Sequence, residues 1–122
     1  MMKLLQRTRR PDITFCRNGR ISVTARVVRA LSIRPGDSLN VAFHQGECLL
    51  LAQHHDNSVG RHVASCYPTK KGSHNYCANS VKLCRLMLDN CHIQALRASF
   101  MVGLPEMHDG EQCLPIIYNN PI

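Results

Sequence analysis

The chain has 122 residues, 44% of them hydrophobic and 19% charged, a balance that suits one soluble domain or two very small units sharing a core. No apolar run approaches the ~20 residues of a membrane-spanning helix, so no membrane association is expected. The start Met1-Met2-Lys3-Leu4-Leu5-Gln6-Arg7 reaches Arg9 and Arg10 without an apolar stretch. A secretory signal is therefore not expected, and a cytoplasmic location is the default.

The net charge of +7 is unevenly placed. Residues 1–34 hold nine of the 15 basic side chains (Lys3, Arg7, Arg9, Arg10, Arg17, Arg20, Arg26, Arg29 and Arg34) against one acid, Asp12, which makes this stretch +8. The remaining 88 residues carry six basic and seven acidic groups, or −1. Eight of the nine are arginine, whose planar fork matches phosphate and guanine edges. Such concentration in the first quarter of the chain predicts a polyanionic partner.

In chain order, residues 1–12 read as a basic flexible arm ending near Arg10-Pro11, which disfavours helix. Ile13–Cys16 and Ile21–Val23 alternate as strands about Arg17-Asn18-Gly19-Arg20, whose Asn-Gly pair signals a hairpin. Thr24 can cap a short helix over Ala25–Leu31 with Val27, Val28 and Leu31 turned to a core. Arg34-Pro35-Gly36-Asp37 is a type II turn in which Asp37 bonds its own backbone. Leu39–Phe43 and Cys48–Leu51 read as strands about His44-Gln45-Gly46-Glu47. Val27, Leu31, Ile33, Leu39 and Val41 are expected in the core.

The polar stretch His54–Gly60 reads as a linker, and the pattern then returns. His62–Cys66 reads as a strand, Pro68–Ser73 as a loop and His74–Ala78 as a strand. Asn79 can cap a helix over Ser80–Asp89. Ala98–Leu104 and Leu114–Tyr118 read as strands about the turn His108-Asp109-Gly110-Glu111. Residues 13–53 and 61–122 thus run through the same order of elements. A unit of about 45 residues cannot bury its own sheet, but two packed together can.

The seven cysteines (16, 48, 66, 77, 84, 91 and 113) are odd in number and include no C-x-x-C pair, so reduced thiols are expected. Cys77, Cys84 and Cys91 recur every seven residues, which would place them on one helix face with Val81 and Leu88. Cysteine as a small buried hydrophobe is the simplest reading. His54-His55-Asp56 and His62 fall in a loop without regular ligand spacing, so solvated histidines and no metal site are expected. No third group orients any Cys–His pair, and neither an enzyme nor a cofactor is expected.

The stretch from Gly19-Arg20-Ile21-Ser22-Val23-Thr24 through Arg29-Ala30-Leu31 to Arg34-Pro35-Gly36-Asp37-Ser38-Leu39-Asn40-Val41 carries a recognisable combination. A hairpin, a short helix and a Pro-Gly-Asp turn follow at fixed offsets. It resembles an AbrB-type swapped-hairpin domain, the family that includes MazE-type antitoxins, over about residues 13–51. Thr24 stands where the family has proline, Arg26 where it is commonly acidic, and Ser32 at the helix-ending glycine. Val28 takes a position that is arginine in some DNA-binding members. The resemblance implies dimers of interlocked hairpins that bind DNA through arginines on the strand-to-helix surface. Position by position, it carries over to Arg20 and Arg29, and more loosely to Arg17.

The expected fold is α+β and mainly β, with an AbrB-like swapped-hairpin unit and a degenerate second copy forming one interlocked barrel-like core. The pairing would be an intramolecular pseudo-dimer or a homodimer. The expected function is docking of double-stranded DNA, as a transcriptional regulator or antitoxin-like component with a toxin or other protein as a further partner. Arg17, Arg20, Arg26 and Arg29 would form the surface, with Arg9 and Arg10 of the arm adding contacts. The chain has no Trp, three Tyr and three Phe, which argues against single-strand binding by base stacking. The alternative is a protein-interaction module of the same fold that has lost DNA binding.

Overall fold

The computed structural model describes residues 11–54 and 64–117. Arg9 and Arg10 lie outside the described residues, as do His55, Asp56 and His62 of the linker. The elements are β1 (Ile13–Cys16), β2 (Arg20–Val23), α1 (Ala25–Ala30), β3 (Ser38–His44), β4 (Glu47–Gln53), β5 (Ala64–Ser65) and β6 (Tyr67–Pro68). They continue as β7 (Tyr76–Asn79), α2 (Val81–Asn90), β8 (Arg97–Val102), β9 (Glu106–His108) and β10 (Glu111–Ile117). No helix among the described residues is long and apolar enough to cross a membrane.

All strand pairs are antiparallel, in the order β5-β3-β4-β10-β8-β1-β2-β7-β6, with β9 beside β10. The two ends of this order, β5 and β6, are separated in the chain by Cys66 alone. The sheet therefore runs round to a nearly closed barrel, which leaves few open edges. The fold is mainly β with two helices.

The pairing crosses between the halves. β1 of the first half pairs β8 of the second, and β5 of the second pairs β3 of the first. The pairs β2·β7 and β4·β10 each join one strand from each half. Exchanging the halves maps this scheme onto itself, so the architecture has an internal twofold relation about the centres of β2·β7 and β4·β10. Neither half completes its sheet alone.

Local signals recur with the topology. Ser32 (φ 53°) and His92 (φ 57°) occupy the left-handed position after each helix. In both, the residue beyond donates five positions back, Ile33 to the Val28 carbonyl and Ile93 to the Leu88 carbonyl, each at 2.9 Å. This is the Schellman closure. The hairpin tips match too, with Gln45-Gly46 and Asp109-Gly110 all at positive φ, as a two-residue type I′ turn requires.

The core is lined by alternate residues of the short strands. Ile13 and Phe15 of β1, Ile21 and Val23 of β2, and Ala98, Phe100 and Val102 of β8 are all buried. Phe15 and Phe100 meet edge-on, centroids 6.1 Å apart. Such a pair adds about 0.5–1.5 kcal/mol beyond the area it buries. Val27, Leu31, Ile33, Leu39 and Val41 are buried as the sequence predicts. α2 contributes Leu83, Cys84, Met87 and Leu88, with the Cys48 thiol 3.5 Å from the Met87 sulfur.

Several local expectations are revised. The cap of α2 is Ser80, whose hydroxyl accepts the Leu83 N–H at 3.1 Å, while Asn79 closes β7. Cys77 is in β7, Cys84 in α2 and Cys91 just past its end, so the seven-residue spacing marks no common helix face. Val81 is exposed. Thr24 occupies the cap position of α1 without capping it by its side chain. The Asn75 carboxamide, 50 residues on, accepts the Ala25 N–H instead at 2.9 Å. Asp12, read as the end of the arm, is buried, and its carboxylate accepts the Val102 N–H at 2.9 Å.

Candidate functional site

The four candidate arginines that fall within the described residues, Arg17, Arg20, Arg26 and Arg29, are not equivalent. Arg17 follows β1, and its guanidinium is engaged by the end of α2 and the loop beyond it. It pairs with Asp89 at 3.2 Å, donates to the Ala95 carbonyl at 3.1 Å and also bonds the Ile93 carbonyl. Its backbone N–H donates to the Leu96 carbonyl at 2.8 Å. Arg17 is thus a clamp between the first hairpin and the second half. No sequence rule pairs residues 72 positions apart, so its structural commitment was not visible beforehand.

Arg20, Arg26 and Arg29 are exposed, and among the described residues no carboxylate lies within ion-pair distance of them. Arg26 and Arg29, three apart on α1, share a helix face. Arg20 opens β2 and stands in register with Asn79, immediately before the cap of α2. Its backbone carbonyl is 3.6 Å from the Cys84 thiol of that helix. The fold therefore brings Arg20 to the start of α2, where Lys82 and Arg85 are exposed, rather than to the start of α1. Position in the sequence alone groups Arg20 with Arg26 and Arg29 and places Lys82 and Arg85 in the weakly charged second half.

These cations sit on β2, on the helices that follow β2 and β7, and on the loop before β7, although α2 also packs on β1 and β3. In the strand order, β2·β7 and β4·β10 stand opposite one another. β2 and β7, with the helices that follow them, carry Arg20, Arg26, Arg29, Lys82 and Arg85, and the loop before β7 adds Lys70 and Lys71. On the opposite wall, the hairpins of residues 38–53 and 106–117 contain no Lys or Arg, while the adjoining β8 opens with the exposed Arg97. They carry Glu47, Glu106, Asp109 and Glu111. Two of the other described acids, Asp12 and Asp37, are buried. Asp37 accepts the Arg34 N–H at 2.8 Å, as its turn predicts, and also meets His54 Nδ1 at 2.8 Å.

The acidic wall holds a cluster that the sequence reading did not assemble. Glu47, Glu106 and His108 offer one ligand-type atom each, all within 4.8 Å of one another. His108 Nε2 lies 2.8 Å from Glu106 Oε1, and the rings of His44 and His108 approach to 5.7 Å. The β4–β10 register puts Cys48 beside Ile116 and Leu51 beside Cys113, so the two hairpin tips start at opposite ends of the pair. For His44 to meet His108, both hairpins must curl toward each other over the outer side of the sheet. Leu49 and Cys113, which alternate outward from the core-lining Cys48, Leu50 and Leu114, are buried there. One signal was available in retrospect. The tetrad His-x-Gly-Glu occurs twice, as His44–Glu47 and His108–Glu111.

All seven cysteines are free thiols, and Cys48, Cys66, Cys84 and Cys113 are buried. Burial pushes the Cys48 and Cys66 thiols up to about 12 and that of Cys84 to about 11. At neutral pH these three are protonated and unreactive. Comparison with known protein families, curated proteins and solved structures finds no match to this chain.

Proposed function

We propose that this chain binds duplex DNA through the basic wall built on β2, β7 and the two helices, in the manner of an AbrB-type swapped-hairpin regulator or antitoxin-like protein. The observation that carries the reading is the separation of charge across the barrel. Exposed arginines and lysines from both halves lie on β2 and on the helices and loop adjoining β2·β7, while β3, β4, β9 and β10 carry none. The strand pairing favours the AbrB-like assignment, because each half lends its first strand to the other. On this reading the two halves act as an intramolecular pseudo-dimer. Arg26 and Arg29 meet phosphates on one side and Arg20, Lys82 and Arg85 on the other, with Arg9 and Arg10 extending the contact. Arg17 supports the surface by holding the hairpin to the second half. Phosphate contacts dominate, so binding is tolerant of sequence and sensitive to salt.

The test is fluorescence anisotropy of a labelled mixed-sequence duplex across about 50–200 mM salt. With about five phosphates contacted, log K falls against log salt with a slope near −4 to −5, and the Arg20→Ala/Arg29→Ala variant flattens it by about 2. An Arg17→Ala change acts on stability more than on the slope. Absence of binding at the lowest salt would sink the proposal. It would favour a protein-interaction module whose basic wall docks an acidic protein.

A further inference from the structure

We propose that the two curled hairpin tips form a binding site for a zinc-like divalent cation, held by Glu47, Glu106 and His108 with His44 at its margin. The site is independent of the DNA reading, being on the other wall of the barrel. Three observations lead to it. First, the donor set combines one imidazole nitrogen with two carboxylates, a combination used by borderline divalent ions such as zinc and cobalt. Hard cations such as calcium and magnesium instead favour oxygen-only sets. Second, the donors come from different hairpins, Glu47 from the tip of β3–β4 and Glu106 and His108 from β9. Register alone would hold these tips apart, yet their donor atoms converge to within 4.8 Å. Third, neither hairpin carries a Lys or Arg to neutralise the carboxylates, in a chain whose net charge is +7.

The geometry needs only side-chain adjustment. A tetrahedral zinc with bonds of about 2.0–2.2 Å spaces its ligand atoms by about 3.3–3.6 Å. The His108–Glu106 contact, at 2.8 Å, opens slightly, and the more distant donors draw in from at most 4.8 Å. Glu47 is exposed and free to move, while Glu106 and His108 are partly held by the β9–β10 pairing. The fourth position is left to water or to His44, whose ring stands edge-on to that of His108. A bound ion would join a residue of the first half to two of the second. It would therefore tie the hairpins together and stabilise the closed barrel.

The experiment is a calorimetric titration of the full chain with zinc chloride under a non-chelating reductant. One ion per chain is expected, with the affinity reduced at least tenfold in Glu47→Gln and in His108→Ala, the range typical of lost metal-site partners. Both side chains are at least partly exposed, so the variants should keep the native circular dichroism spectrum. Glu106→Gln serves as a third variant if either fails to fold. Seven thiols could compete for zinc, so cobalt is used as a second probe. Binding at Glu47, Glu106 and His108 gives a weak d–d spectrum without a sulfur-to-cobalt charge-transfer band. No saturable binding up to about 100 μM zinc, unchanged affinity in the variants, or a strong charge-transfer band would each overturn the proposal.

Discussion

At the scale of single residues, Gly19 joins the first hairpin to the second half. The β1–β2 loop is one residue longer than a two-residue Asn-Gly turn, since Phe15 pairs Ile21, and Gly19 takes the left-handed position at φ +106°. A Cβ there would lie 2.8 Å from Val81 Cγ2 and 3.0 Å from the Val81 backbone nitrogen. The same glycine accepts the Ser80 N–H at 2.8 Å, so the start of α2 rests directly on it. Gly19→Ala therefore combines backbone strain with a clash and is expected to cost about 2–3 kcal/mol. Gly46→Ala is the control. It has φ +82° but nothing within 4 Å of the added carbon, so only strain remains, about 1 kcal/mol. Urea denaturation of both variants checks the difference, and equal losses would mean that the Val81 contact yields freely. Sequence alone marked the glycine as a turn former, but nothing in it identified the helix that packs against it.

At the scale of elements, the two helices have the same closing motif and different beginnings. α2 is capped by its own Ser80, whereas Thr24 directs its hydroxyl to the Asp12 carbonyl at 3.4 Å and α1 takes its cap from Asn75. Thermal denaturation should therefore show Ser80→Ala and Asn75→Ala each losing about 1 kcal/mol, with Thr24→Ala losing only a few tenths. A large loss in Thr24→Ala with none in Asn75→Ala would reverse the assignment. Hairpin turns and buried helix faces were legible because they depend on neighbours two to four residues away. The cap from Asn75 was not, because it depends on β2·β7 pairing. β9 was missed for a related reason. Gly103-Leu104-Pro105 interrupts the alternation, and Glu106–His108 counts as strand only through its register with Glu111–Cys113.

At the scale of the whole molecule, reading charge along the chain gave a strongly basic first quarter and a neutral remainder. Folding sorts the same charges by wall instead, because β3–β4 and β9–β10 lie together although 64 positions separate their tips. The repeated order of elements was legible, while an interlocking of the halves was implied only by the AbrB resemblance, since antiparallel pairing within each half would satisfy the same pattern. The shared core has a consequence for stability. Cys48 of β4, Cys66 between β5 and β6, and Cys84 of α2 all have burial-raised pKa values, about 12, 12 and 11 against an ordinary 9.0. Above pH 9 the unfolded chain releases these protons while the folded chain keeps them, so the unfolded state binds fewer protons and stability falls as pH rises from about 9 toward 12. Below pH 9 both states hold them, and the thiols contribute no slope. Melting temperatures measured in reductant from pH 7 to 11 should be insensitive to these groups up to about 9 and then decline. The decisive comparison is the Cys48→Ala/Cys66→Ala variant. That variant begins less stable, having lost buried sulfur, but its alkaline decline should be shallower than that of the parent chain. Parallel declines would mean that the buried thiols are not the groups through which alkali opens this barrel.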